Sequence, residues 1–125
     1  MPATNFSEYA RAISACVNSL VTTGQAELVN LTIDQRSDVR GFIIGLLRFT
    51  NGAELHLREF VDLTQAEPRL MYAYHYQDAN HNLIFRYDNA AHRPPLAQTE
   101  HKHISDQVIA FHAPTLTQVL DEIQE

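Results

Sequence analysis

The chain lacks several features that would assign it to a familiar class. Its 125 residues include one cysteine, Cys16, so an internal disulfide is excluded. No apolar run approaches the roughly 20 residues that a membrane-spanning helix needs. There is no glycine-rich phosphate loop, and no serine lies in the context of a hydrolase nucleophile. Fold and function must therefore be inferred from patterning and from clusters of polar residues.

The chain also has no excess of basic over acidic residues, and its formal net charge is −6. This charge argues against broad, non-specific binding to nucleic acid. With 45% apolar and 19% charged residues, the composition is typical of a soluble globular protein, and the length fits one domain over residues 1–125. The amino-terminal residues have neither the basic region nor the apolar stretch of a signal peptide, so we expect a cytoplasmic location. Cys16 lies in an amphipathic pattern without a neighbouring base, which predicts a structural thiol.

Apolar spacing predicts two helices, over residues 6–22 and 115–124, the second opened by a Thr115–Gln118 capping box. Alternation between them predicts five strands, over residues 26–35, 39–49, 53–61, 69–77 and 82–88. Residues 89–112 are expected to be mostly loop, with one short strand near 108–111. The predicted class is α+β, an antiparallel sheet of about five strands packed by an N-terminal and a C-terminal helix.

Two strand registers can be predicted from the faces they create. In the first strand, Val29, Leu31 and Ile33 are expected on one side. In the hairpin around Asn51, a three-residue loop with left-handed Gly52 sets apolar residues opposite each other on one face. A two-residue turn would leave both faces mixed, so we predict the three-residue loop.

The segment 86–103, RYDNAAHRPPLAQTEHKH, has the composition most typical of a chemical site. It holds three of the seven histidines, and its three arginine and lysine residues against two acids give it a charge of +1. The rest of the chain therefore carries −7. Histidine, arginine, lysine and aspartate are costly to bury unpaired, and they bind metals, move protons or bind phosphate. The residue types alone leave these three uses open.

Several groupings within and beside this segment have both a functional and a structural interpretation. His101 and His103 would face the same side of an extended segment, as a metal pair, an acid/base pair or a solvated loop. Asp88 with His92 and these two histidines offers metal ligands, but Asp88 also suits a turn. A cluster of Arg86, Asp88 and His75 is expected on adjacent strands, as a site or as an ordinary polar network.

A row of tyrosines is the remaining candidate: Tyr72, Tyr74, Tyr76 and Tyr87. Such rings can stack on nucleic-acid bases, but half-buried positions in a sheet are the more usual explanation. His56 and His112 are predicted to be structural.

With these residues in view, the chain resembles the TumE-type toxins of bacterial toxin–antitoxin modules. The resemblance rests on LRFTNGAELHLREFVDL (47–63), YAYHYQDANHNLIFRYDNAAH (72–92), HKH (101–103) and PTLTQVLDEI (114–123). It covers most of the chain in order, and the YHYQDA, RYDNA and HKH series is fairly specific.

The resemblance implies a partner, a small helix-turn-helix antitoxin, and less directly an activity on RNA. The family's polar motif falls on nine positions of this chain: His75, Asp78, Arg86, Asp88, Asn89, His92, His101, Lys102 and His103. The chain departs from the pattern at Ala91, where the family tends to have proline, and at Thr99-Glu100, where it tends to have proline and histidine. It also departs at His81, where the family commonly has glycine.

These expectations lead to one main hypothesis, a toxin that cleaves RNA phosphodiesters without a metal or cofactor. His92 and His103 are the predicted acid/base pair, with His101 as substitute and Asp88 orienting a histidine. The predicted substrate-binding residues are Arg86, Lys102, His75, Asn89 and Arg93.

Two other functions remain open at this stage. One is a non-catalytic module that binds the antitoxin or another protein, and the other is a metal-dependent hydrolase using Asp88 and the histidines. The sequence also leaves open whether the protein is an enzyme at all, and whether it forms a homo-oligomer.

Overall fold

A computed structural model of the chain describes residues 3–89, 101–104, 107–110 and 113–124. Two helices enclose a run of strands, which confirms the predicted α+β class with an N-terminal and a C-terminal helix. The elements in chain order are α1 (Phe6–Thr22), β1 (Ala26–Gln35), β2 (Arg40–Phe49), β3 (Glu54–Asp62), β4 (Arg69–Gln77), β5 (Leu83–Asp88), β6 (His101–Ile104), β7 (Gln107–Ala110) and α2 (Leu116–Gln124).

All described strands form one antiparallel sheet, and their order in space is their order in the sequence, β1 to β7. The five predicted strands are present close to their predicted bounds. Two short strands extend the sheet beyond them, where one short strand near 108–111 was expected. β6 reads HKHI, and four largely polar residues give too little alternation to predict a strand.

The hydrophobic core lies between the two helices and one face of the sheet. Phe6 and Val17 of α1 and Val119 of α2 are fully buried against strand residues that include Leu47 and Tyr74. The ring of Phe6 lies directly on the backbone of Gly41, where any Cβ would collide with it. The other face of the sheet, which we call the open face, carries most of the polar strand residues.

The hairpin between β2 and β3 has the predicted register. Gly52 adopts a left-handed conformation with φ of 84°, and the Phe49 N–H donates to the Ala53 carbonyl at 2.8 Å. Leu47 pairs with Leu55, and both side chains are 0% exposed on the helix side. The alternative two-residue turn would have exchanged the two faces.

The prediction for the first strand is wrong at one residue. β1 pairs Leu28 with Leu47 but Asn30 with Leu46, so Val29 is the extra residue of a β-bulge. The bulge places Leu28 against the core together with Leu31, and leaves Val29 exposed. An inserted residue changes the phase of alternation, and a strict period of two cannot anticipate it.

Both helices begin at side-chain caps. In α1, the Glu8 N–H donates to Asn5 Oδ1 at 2.8 Å. In α2 the capping box is reciprocal, since the Gln118 N–H donates to Thr115 Oγ1 at 3.1 Å and the Thr115 N–H donates to Gln118 Oε1 at 2.9 Å. These bonds satisfy N–H groups that have no partner inside the helix.

Candidate functional site

The strand register places four nitrogen-bearing side chains in one row across the open face. His56 of β3 pairs with His75 of β4, which pairs with Arg86 of β5, which pairs with His103 of β6. Neighbouring strands lie about 4.8 Å apart, so four residues far apart in sequence form a short, nearly straight line. We call His56, His75, Arg86 and His103 the basic row.

A buried carboxylate lies beside this row. Asp88 is 3% exposed, and its Oδ2 accepts from Arg86 Nε at 2.8 Å. The same oxygen lies 3.0 Å from His103 Nε2. Arg86 and Asp88 are two residues apart on β5 and therefore share a face, while antiparallel pairing brings His103 to Arg86 from the next strand. The predicted cluster of Arg86, Asp88 and His75 is confirmed, and His103 joins it.

His75 is held as a neutral imidazole on the other side of Arg86. Its Nε2 lies 3.1 Å from the Gln77 side-chain oxygen, and its Nδ1 lies 3.4 Å from Arg86 Nη1. Because an arginine can only donate, Nδ1 offers a lone pair and Nε2 carries the proton. Burial lowers the pKa of His75, and the Arg86 charge lowers it further, although the bond to Gln77 acts in the opposite direction.

A cavity of about 430 Å³ opens on this face next to the basic row. Three of its polar residues were not predicted from the sequence as site residues: His56, Arg58 and Gln77. The signal existed, because period two places His56 and Arg58 on the polar face of the hairpin. Recognising them also needed the strand order, which alone brings β3 beside β4.

Lys102, predicted to bind substrate, lies outside this cluster. It lies between His101 and His103 on an extended strand, so its side chain points to the helix side. Its Nζ donates to Glu122 Oε2 at 2.9 Å and lies 4.9 Å from the centre of the Tyr87 ring, whose hydroxyl donates to Glu122 Oε1 at 2.6 Å. These contacts attach β6 to α2.

Asn89 is likewise separated from the cluster. Its side-chain oxygen accepts from the Tyr72 N–H at 3.1 Å, and its nitrogen donates to the Leu70 carbonyl at 3.2 Å. It therefore satisfies two backbone groups at the start of β4. Asp78, carried over by the resemblance, accepts the N–H groups of Asn80 and Asn82, both at 2.9 Å, and so stabilises the β4–β5 turn.

The remaining predicted site residues are His92, Arg93 and His101. His92 and Arg93 lie outside the described residues. His101 lies on β6, where its backbone pairs with Asp88.

The tyrosine row belongs to the core, and the base-stacking interpretation is wrong. Tyr72, Tyr74, Tyr76 and Tyr87 are each 7% exposed or less. Their rings pack against one another and against Phe49 and Phe85 on the helix side. No nucleobase can reach these ring faces without opening the sheet from its helices.

A metal site receives no support from the arrangement around Asp88. In the described ranges, no three histidine, cysteine, aspartate or glutamate side chains form a group that could hold an ion. The Arg86 guanidinium lies between the carboxylate and His75. A divalent cation placed among these donors would meet a fixed positive charge.

Comparison with known proteins decides the family. The family model described as Toxin TumE matches residues 19–125. The chain belongs to the TumE toxin family. The matched range includes the whole sheet and α2, and with them the basic row and Asp88. No curated protein and no solved structure matches the chain.

Membership of the TumE family makes this protein the toxin of a toxin–antitoxin module, and an antitoxin is its implied partner. Among the described residues, no helix has both the length and the apolar character to cross a membrane. The antiparallel sheet of this α+β fold thus positions the polar cluster of this TumE protein.

Proposed function

We propose that this TumE protein acts on RNA and cleaves its phosphodiester bonds with side chains of the open face. One observation carries the proposal: the buried Asp88 carboxylate contacts both Arg86, at 2.8 Å, and His103, at 3.0 Å. A carboxylate beside a histidine fixes the tautomer and orientation of the ring. An arginine on the same carboxylate is oriented beside it and can bind a phosphate with its remaining N–H groups.

His103 would act as the general base. With Nε2–H facing Asp88, its Nδ1 is left with the lone pair that can take the proton of a ribose 2′-hydroxyl. The 2′-oxygen would then attack the adjacent phosphorus, and the 5′-oxygen of the next nucleotide would leave. Arg86 would stabilise the negative charge that develops on the phosphorane oxygens.

A second proton donor must protonate the leaving oxygen. His92 remains our assignment for this role, with His101 as substitute, and Arg93 remains a proposed phosphate contact. His75 contacts Arg86 from β4, and its Cα lies about 10 Å from that of His103 on the usual strand spacing. We assign His75 to substrate binding, because its Nδ1 already faces the Arg86 guanidinium.

We further propose that the antitoxin is a helix-turn-helix protein, as the resemblance implies. The net charge of −6 supports a basic partner, since complementary charge speeds association and suppresses wrong pairing. DNA-binding modules of that type carry such basic surfaces.

Purified protein incubated with RNA, with and without a chelator, tests the mechanism. We expect cleavage in both conditions and a bell-shaped rate profile in the histidine range of roughly pH 6–7. Activity that disappears with chelator and returns with one divalent ion would instead identify a metal-dependent hydrolase. No cleavage in either condition, together with tight antitoxin binding, would favour the non-catalytic binding module.

A further inference from the structure

Ala73 lies on the middle strand of the open face, where its small side chain, 6% exposed, forms the floor of a depression. Ala73 pairs with Arg58 on β3 and with Asp88 on β5, so larger polar side chains stand on both sides of it. Ile44, next to Arg58 in the register, adds an exposed apolar wall. The cavity of about 430 Å³ described above includes this depression and reaches the basic row at His75 and Arg86.

Arg58 differs from the other arginines on the described strands. Arg40, Arg48, Arg69 and Arg86 each contact a carboxylate. Arg58 is exposed and makes no hydrogen bond or ion pair within the described part of the chain. A cation that neutralises no acid of its own protein is available to an anionic ligand, and here it borders a cavity.

We propose that this depression is a nucleotide subsite for single-stranded RNA, in which Arg58 binds a phosphate next to the scissile one and an unstacked base lies over Ala73 against Ile44. The proposal rests on the function proposed above and extends it to the substrate. The volume falls within the range of small-ligand pockets, roughly 300–1,000 Å³. A base enters such a depression only when it is out of its stack, which favours single strands over duplex.

Binding of a single-stranded RNA oligonucleotide, with every 2′-hydroxyl methylated so that it cannot be cleaved, tests the subsite. Arg58→Gln should weaken binding about tenfold, the usual range for a bond to a charged group. It should also reduce the salt dependence, with the slope of log K against log salt smaller by about 0.7. Ala73→Leu, which fills the depression, should weaken binding about fivefold or more through the lost base contact and leave the slope unchanged.

Arg11→Gln is the matched control, because Arg11 is exposed on α1, on the helix side of the molecule, and its loss changes the net charge equally. We expect its affinity to stay within about twofold of the wild type, since long-range charge effects are screened at physiological salt. Circular dichroism and thermal unfolding check that each variant is folded. If Ala73→Leu does not fold, Arg58→Gln against Arg11→Gln decides.

Four results would overturn the subsite, and they differ in what they leave standing. Wild-type cleavage and binding with unchanged affinity in Arg58→Gln and Ala73→Leu would reject the subsite and keep the proposed function. If Arg11→Gln lost as much RNA affinity as Arg58→Gln, binding would come from general charge attraction. If duplex RNA bound as tightly as single-stranded RNA, the substrate class would be different. A wild type that neither binds nor cleaves RNA would overturn the proposed function and the subsite together.

Discussion

The two faces of the sheet differ in how they hold a buried carboxylate, as Glu59 on the helix side and Asp88 on the open face show. Glu59 on the helix side is 1% exposed and accepts hydrogen bonds from the hydroxyls of Tyr9 and Tyr74, the second at 2.6 Å. Asp88 on the open face is 3% exposed and contacts Arg86 and His103. Neutral hydroxyl donors hold Glu59 in the core, whereas Asp88 is held by nitrogen groups that can carry a positive charge.

Arg69 marks the boundary of the Glu59 network. It donates to the Tyr74 hydroxyl at 3.0 Å and to the Pro114 carbonyl, and so joins β4 to the residues just before α2. Burial raises the pKa of Glu59 and outweighs the hydrogen bonds from Tyr74 and Tyr9, which lower it. The network therefore holds the two helices on the sheet, and nothing in it is needed for the proposed chemistry.

The largest effect that separates the faces is expected for His103→Ala. Loss of the proposed general base should reduce RNA cleavage by about 100-fold or more and abolish toxicity in cells, while circular dichroism stays unchanged. His81→Asn is the control, because His81 lies in the β4–β5 turn with φ of 67°, a conformation that asparagine tolerates. Full toxicity of His103→Ala would remove the open face from the mechanism, and loss of folding would favour a structural role for the histidine.

Substitutions on the helix side should lower the stability of the fold and leave the catalytic activity unchanged. Tyr74→Phe removes a hydroxyl that donates to Glu59 and accepts from Arg69, so we expect a loss of about 1–3 kcal/mol in the free energy of unfolding. Cleavage per folded molecule should stay at the wild-type level. When Glu59 is replaced by Gln, the loss of unfolding free energy caused by Tyr74→Phe should change, and a double-mutant cycle measures this difference. An unchanged cost there would mean that the Tyr74 hydroxyl and the carboxylate are not coupled.

The pH dependence of the unfolding free energy should distinguish Glu59 from an ordinary surface acid. Because its pKa is raised on folding, its contribution to stability is fully present below the unfolded value of about 4.3 and is lost as the pH rises through the folded pKa. Denaturant unfolding of the wild type and of Glu59→Gln should therefore show the variant gaining relative stability as the pH increases from about 4. A difference that is constant with pH would contradict the raised pKa.

The smallest effect is expected for Lys102→Met, which tests whether Lys102 belongs to the helix side. Loss of the contact with Glu122 should cost up to about 1 kcal/mol, because ion pairs with partial solvent access contribute little. Toxicity should be retained, in contrast to the neighbouring His103→Ala. A folded Lys102→Met variant without toxicity would restore Lys102 as a substrate-binding residue.

Much of the fold could be predicted because turn and capping residues indicate the same element boundaries as the pattern of buried apolar residues. The β2–β3 register was predicted from Gly52 and from matching Leu47 with Leu55, and α2 from its capping box. The bulge at Val29 could not be predicted, since one inserted residue leaves no mark on composition. β6 could not be predicted either, because its stability comes from pairing with β5 and not from its own four residues.

The site was predictable only where its members share a strand or lie on strands joined by a turn. Arg86 and Asp88 on β5, with His75 across the β4–β5 turn, were grouped correctly. Lys102 lies between two histidines that share a face, so it points to the opposite face, and its bond to Glu122 could not be predicted from the HKH segment alone. Period two places Arg58 on the polar face of the hairpin, but its position beside Ala73 and its lack of a hydrogen-bond or ion-pair partner among the described residues appear only in the structure.

The basic row also bears on how the protein behaves while it is being synthesised. Its four members come from four strands, and the last of them, His103, lies on β6. The contact between Asp88 and His103 cannot form until β6 has left the ribosome and paired with β5. A nascent chain that has folded only through β5 therefore already has Arg86 and Asp88 but not the complete site. On the proposed mechanism, the cell that makes this toxin is exposed to RNA cleavage only after translation has passed beyond β6.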